Sequence, residues 1–133
     1  MGERSAIRVV SAEIQRDGRY LITQRSARAV LPLLWEFPGG RVRDGETDAE
    51  ALARCVRERV GVTVEVHHQL LEVNHGYDHY GVALGVYRCT LEPGAEPWPE
   101  NVAALAWVAA DEFGDYPFPG ADQKTVEMLL RDH

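Results

Sequence analysis

A chain of 133 residues has the length of one domain, and 45% apolar with 26% charged residues is a globular composition, neither disordered nor collagenous. A net charge of −7 argues against a nucleic-acid polymer or an anionic membrane as the main partner, while a locally positive pocket could still take a small anion. The longest apolar run covers nine residues, 102–110, against the roughly 20 a membrane span requires.

The first six residues carry no apolar segment of the secretory kind. Cys55 and Cys89 lack any metal-binding or disulfide spacing and read as two free thiols in a reducing cytoplasm. Residues 7–14 and 20–24 read as strands of a hairpin turned by Arg16-Asp17-Gly18-Arg19. A loop follows from Arg25 through Pro32 to Trp35-Glu36-Phe37-Pro38-Gly39-Gly40, where proline and paired glycines argue against regular structure. The β-branched runs 62–66, 82–86 and 104–108 read as further strands, and residues 121–131 as a closing helix.

The central helix is signalled at both ends. Thr47 with Glu50 three residues later forms a capping box, Asp48 suits the positive end of the helix dipole, and Gly61 supplies a left-handed stop. At 100° per residue Ala49, Leu52, Ala53, Val56 and Val60 share one arc, which is the expected buried face. Arg54 with Glu58, and Cys55 with Arg59, form two stripes that flank this face and look towards the Gly39-Gly40 loop.

Gly40, Glu46, Arg54, Val56, Glu58, Gly61 and Val62 stand at the spacings of the Nudix box, so loop and helix together resemble that family. The approach Leu34-Trp35-Glu36-Phe37-Pro38-Gly39 and the later Phe118-Pro119-Gly120-Ala121-Asp122 are similar to segments of MutT-type members. The resemblance implies one Nudix domain over residues 1–133, an α/β/α sandwich with a mixed β-sheet. It also implies hydrolysis of a nucleoside triphosphate or related nucleoside-diphosphate-linked substrate with magnesium or manganese. Hard divalent cations of this kind are held by oxygen ligands and neutralise crowded phosphate charge. By position the metal ligands would be Glu58, the Gly39 carbonyl and Glu100, with Asn101 as the alternative match for Glu100. Glu58, Arg54 and Glu46 would form the catalytic set, and Arg25, Phe37, Asp122 and Arg59 would contact substrate. The expected partner is a small nucleotide or diphosphate, with a homodimer as a further expectation.

The chain departs from the family at two box glutamates, replaced by Cys55 and Arg59, which shifts the local charge by +3. A thiol is a soft ligand, poorly matched to magnesium. Metal-dependent catalysis is therefore expected to be impaired or altered, and the alternative is a silent module that binds a nucleotide or phosphorylated metabolite. Arg59 with Arg25 could clamp a pyrophosphate, since guanidinium binds phosphate in a fork. Glu46 and Glu36 are further carboxylates that could move towards a metal. Cys55 is a conceivable nucleophile. Asp122 has two competing readings, a base-reading carboxylate and the N-cap of the last helix. Residues 67–80 hold four of the five histidines, read as a loop that lines a pocket and could offer an imidazole.

Overall fold

The computed structural model describes residues 6–29 and 32–131. Strands β1 (Ala6–Arg16) and β2 (Arg19–Gln24) meet across Asp17 and Gly18, both at positive φ (54° and 77°), the geometry of a tight two-residue hairpin. Two short strands, β3 (Trp35–Glu36) and β4 (Gly39–Arg41), pair antiparallel with β2 and β1. Helix α1 (Asp48–Val60) leads to β5 (Val64–Gly76), β6 (Gly81–Leu91) and β7 (Ala104–Val108). A 3-10 segment (Ala110–Asp115), a 3-10 turn (Gly120–Asp122) and α2 (Gln123–Arg131) follow. The mixed sheet runs β3-β2-β1-β6-β5, with β4 on β1 and β7 on β2, and its β1–β6 pair is parallel.

Strand alternation sends successive side chains to opposite faces. Val10, Ala12, Ile14 and Leu21 pack beneath α1, against Leu52, Val56 and Val60. Tyr20 and Ile22 pack on the other side with Phe37, Phe113 and Leu129 of α2. Helices therefore cover both faces, as the sandwich expectation requires. Leu52, Val56 and Val60 are each wholly buried, and full burial of such a side chain is worth about 1.5–3 kcal/mol.

Several boundaries differ from the sequence reading. Trp35–Glu36 and Gly39–Arg41 are strands, because the sheet supplies backbone partners that the proline and glycines alone do not reveal. Residues 67–76 belong to β5 and not to a loop; only 77–80 turn. His67 and His68 lie exposed on that strand, beside irregularities in the β5–β6 register. The buried arc of α1 is rotated from the one expected: Ala49 is exposed and Ala53 half-buried, while Ala51 and Cys55 are buried. The Gly39-Gly40 strand covers that flank and carries the burial round to Cys55. None of the helices among the described residues is long and apolar enough to cross a membrane.

The caps follow the sequence. Thr47 Oγ1 accepts from Glu50 N–H at 3.1 Å and Glu50 returns the bond to Thr47 N–H at 2.9 Å, while Gly61 closes the helix at φ 71°. Thr47→Ala is expected to cost about 1 kcal/mol of stability, read as a lower urea midpoint at unchanged slope; an unaltered midpoint would show the cap idle.

Candidate functional site

The site is set by how close β4 comes to its neighbours. Gly39 lies directly against the β1 backbone opposite Ser11, where a side chain has no room. A Cβ on Gly40 would stand 2.6 Å from Arg59 Nη2 and 2.8 Å from Cys55 Sγ. The second stripe of α1 thus touches the loop, as its register predicts, with Cys55 fully covered.

Arg59 Nε donates a hydrogen bond to the Gly39 carbonyl. That oxygen is the one the resemblance assigns to a metal. The Cys55 thiol is only 2% exposed, and burial pushes its pKa up despite Arg54 and Arg59 beside it. A thiol held protonated is the opposite of an activated nucleophile, so the nucleophile expectation for Cys55 is withdrawn.

Glu46, Arg54 and Glu58 come together, bound to one another. Arg54 donates to both Glu46 oxygens at 2.7 and 2.9 Å, to Glu58 at 3.1 Å and to the Arg41 carbonyl at 2.9 Å. Arg54, with a hydrogen bond from the Arg43 backbone, holds the Glu46 carboxyl down at about 2. Glu58 lies 3.8 Å from Arg43 through its other oxygen, so both of its oxygens face arginines. Glu36 is likewise paired, with Arg25 at 2.9 Å.

Glu100 is exposed and borders an open depression with Glu58, Arg43, Arg57, Trp98 and Asn101, while Gly39 lines a different cavity. Asn101 is tied by its backbone, whose N–H donates to the Arg59 carbonyl at 3.1 Å. Among the described residues no three His, Cys, Asp or Glu side chains converge in a metal-holding group. With the loop carbonyl taken, one position a buried thiol and another a cation, this donor set does not fit a magnesium or manganese cluster.

A cavity of about 400 Å³ is bordered by Gly39 and Gly40. Its lining includes the cations Arg59 and Arg41, and Arg25, which pairs with Glu36 and acts on Asp122 and Tyr77. Val82, Leu84, Tyr77 and Tyr80, which pack in one cluster, give the cavity an apolar and aromatic part. Phe37, 1% exposed, serves both the cavity wall and the core, stacking on Phe118 at 5.4 Å and meeting Phe113 edge-on at 5.7 Å.

Asp122 also borders the cavity, buried to 7% exposure. It is not a helix cap: it ends the 3-10 turn, whose N-cap is Pro119, and α2 starts one residue later. Burial first, then the nearby Glu36, push its carboxyl well above the usual aspartate range, with Arg25 opposing. The neutral form both donates and accepts a hydrogen bond, as an amide does.

Sequence reasoning missed Arg41; it expected the segment up to Tyr80 to line a pocket, and Tyr77 and Tyr80 do so, not the histidines it singled out. The two tyrosines stack at 5.2 Å across the β5–β6 turn, and Tyr77 Oη accepts from Ala121 N–H at 3.0 Å, pinning the turn that carries Asp122. Two aromatics at the ends of a four-residue turn were the available signal for their role, masked by the histidines around them. No histidine of the described residues lines the cavity; His75 packs over Gly120 and edge-on to Tyr77.

A mixed sheet between helices, with this loop and helix at its edge, defines the Nudix class of proteins. The NUDIX domain pattern matches residues 9–128, and the chain belongs to that family. It is 32% identical over 124 residues to the CTP pyrophosphohydrolase of Escherichia coli, covering 93% of this chain and 91% of that protein. It is 30% identical over 116 residues to the 8-oxo-dGTP diphosphatase of the same organism, covering 86% and 88%. The crystal structure of the MutT NUDIX hydrolase from Burkholderia pseudomallei superimposes with a TM-score of 0.84 at 27% identity, over 94% of this chain and 98% of that one. Nudix hydrolases of this MutT-like kind act on small nucleotides and generally use divalent metal ions.

Because the folded state favours neutral Asp122, stability is fully present below the ordinary aspartate value of 3.8 and falls as pH rises through the folded value. Asp122→Asn is expected to melt increasingly above wild type as pH rises from about 4 to 7. Parallel melting curves across that range would show that the carboxyl ionises freely in the fold.

Proposed function

We propose that this chain binds a nucleoside triphosphate, or a related nucleoside-diphosphate-linked compound, in the cavity beside Gly39-Gly40, and that its metal-dependent hydrolysis is impaired. The observation that carries this reading is the bond from Arg59 Nε to the Gly39 carbonyl. It puts a fixed guanidinium where the family's chemistry calls for a free oxygen ligand. Residues 1–133 are read as one Nudix domain.

The nucleobase would lie at the aromatic end, against Phe37, Tyr77 and Tyr80, with Asp122 reading its edge and Arg25 beside it. The phosphates would extend towards Arg59. Glu58 is the one helix glutamate kept, so residual hydrolysis would depend on it, with Arg54 orienting its carboxylate and Glu46 holding Arg54. The names of the relatives make CTP and 8-oxo-dGTP the first compounds to try, with dGTP as control.

The test is pyrophosphate release from these nucleotides with magnesium and then manganese. Wild type is expected to turn over slowly, Glu58→Ala more slowly still, and the double variant Cys55→Glu/Arg59→Glu at least ~10-fold faster than wild type, a barrier change of about 1.4 kcal/mol. A double variant that folds but gains nothing would overturn the impairment. Failure of wild type to bind any nucleotide would overturn the nucleotide reading itself. A silent binding module is the second reading, favoured by the same bond, and is distinguished by wild-type turnover that Glu58→Ala leaves unchanged.

A further inference from the structure

We infer that Arg59 is itself the cation of the phosphate site, so that the cavity takes a di- or triphosphate end without a divalent metal. This rests on the nucleotide reading above and names the form of the ligand.

Arg59 is half-buried, and among the described residues no carboxylate lies within the 4.0 Å of an ion pair with it. The contrast with its neighbours is sharp: Arg25 pairs with Glu36, Arg54 with Glu46 and Glu58, and Arg43 with Glu58. A half-buried cation without a counter-charge is costly to keep in a fold. The one hydrogen bond of its guanidinium within the described residues goes from Nε to a neutral carbonyl. That bond orients the guanidinium of a side chain that lines the cavity, and among the described residues it leaves the N–H groups of Nη1 and Nη2 available to a ligand.

Such N–H groups form a fork that matches two oxygens of a phosphate. Arg41 also lines the cavity and adds positive charge, while Glu36 already offsets Arg25. On a chain of net charge −7 this is a local reversal of sign. The aromatic part of the lining selects phosphates that carry a flat organic group. A magnesium ion chelated by the same phosphates would meet Arg59 as a like charge, so the metal complex should bind more weakly than the free anion. The usual dependence of the family is thereby inverted.

Isothermal titration with CTP and with inorganic pyrophosphate, in EDTA and then in excess magnesium chloride, tests this on the wild-type protein. Binding in EDTA that weakens several-fold with magnesium is expected. Arg59→Ala should weaken binding in EDTA by ~10-fold or more, and Arg59→Lys by less, since it keeps the charge and loses the fork. Arg59→Ala should not lower the melting temperature of the free protein, which separates ligand contact from folding. Binding that requires magnesium, or affinity in EDTA unchanged by Arg59→Ala, would overturn the inference while leaving the nucleotide reading intact. No binding of CTP in either buffer would overturn both.

Discussion

Everything the site does depends on one close approach: the Gly39-Gly40 strand is pressed between β1 on one side and Cys55 and Arg59 of α1 on the other. Only glycine leaves enough room, because a single added carbon at either position would enter a neighbouring backbone or side chain. The approach brings a loop carbonyl within reach of whatever the helix presents at that turn. A carboxylate there would share a metal with the carbonyl. A guanidinium donates to it directly, and in this chain Arg59 does so.

The electrostatic consequences spread along the helix. Glu46 and Glu58 bind Arg54 and Arg43, so their charge is spent on fixing the 41–46 loop to α1. A separate group, in which Asp48 accepts from Arg8 and from Tyr87, fastens the first turn of the helix to the sheet. Pairs this exposed are individually worth little, at most about 1 kcal/mol, so their main effect is on orientation. Arg59 has no ion pair among the described residues and lines a cavity that Asp122, pushed towards its neutral form, also borders. On the proposed reading, Arg59 would make this a site for an anion and not for a metal cluster.

Much of this was legible in the chain. The helix boundaries at Thr47 and Gly61 depend on contacts within a few residues, and the structure keeps both. The family followed from the spacing of Gly40, Glu46, Arg54, Glu58 and Gly61, and its altered charge from reading Cys55 and Arg59 in place. Less legible were features that need a distant partner. The 67–76 segment looked like a loop because its histidines and asparagine have weak strand preference, yet pairing with β6 overrides that preference. The buried face of α1 was misjudged by part of a turn because periodicity knows only the helix and not the strand laid beside Cys55.

By itself, then, the sequence determined the central helix and the groups on its critical turn, through local capping and spacing, and the family, whose resemblance implied the layered fold. Tertiary structure alone decided what those groups do to one another. Residues 20 apart in the chain, Gly39 and Arg59, meet only when β4 docks on β1 and α1, and that docking converts a missing ligand into an occupied carbonyl. Likewise Tyr77 reaches Ala121 across 44 residues, and burial shifts Asp122 towards the neutral acid. Hydrogen bonding and desolvation act over a few ångströms in space, and chain position does not encode which distant groups will come that close.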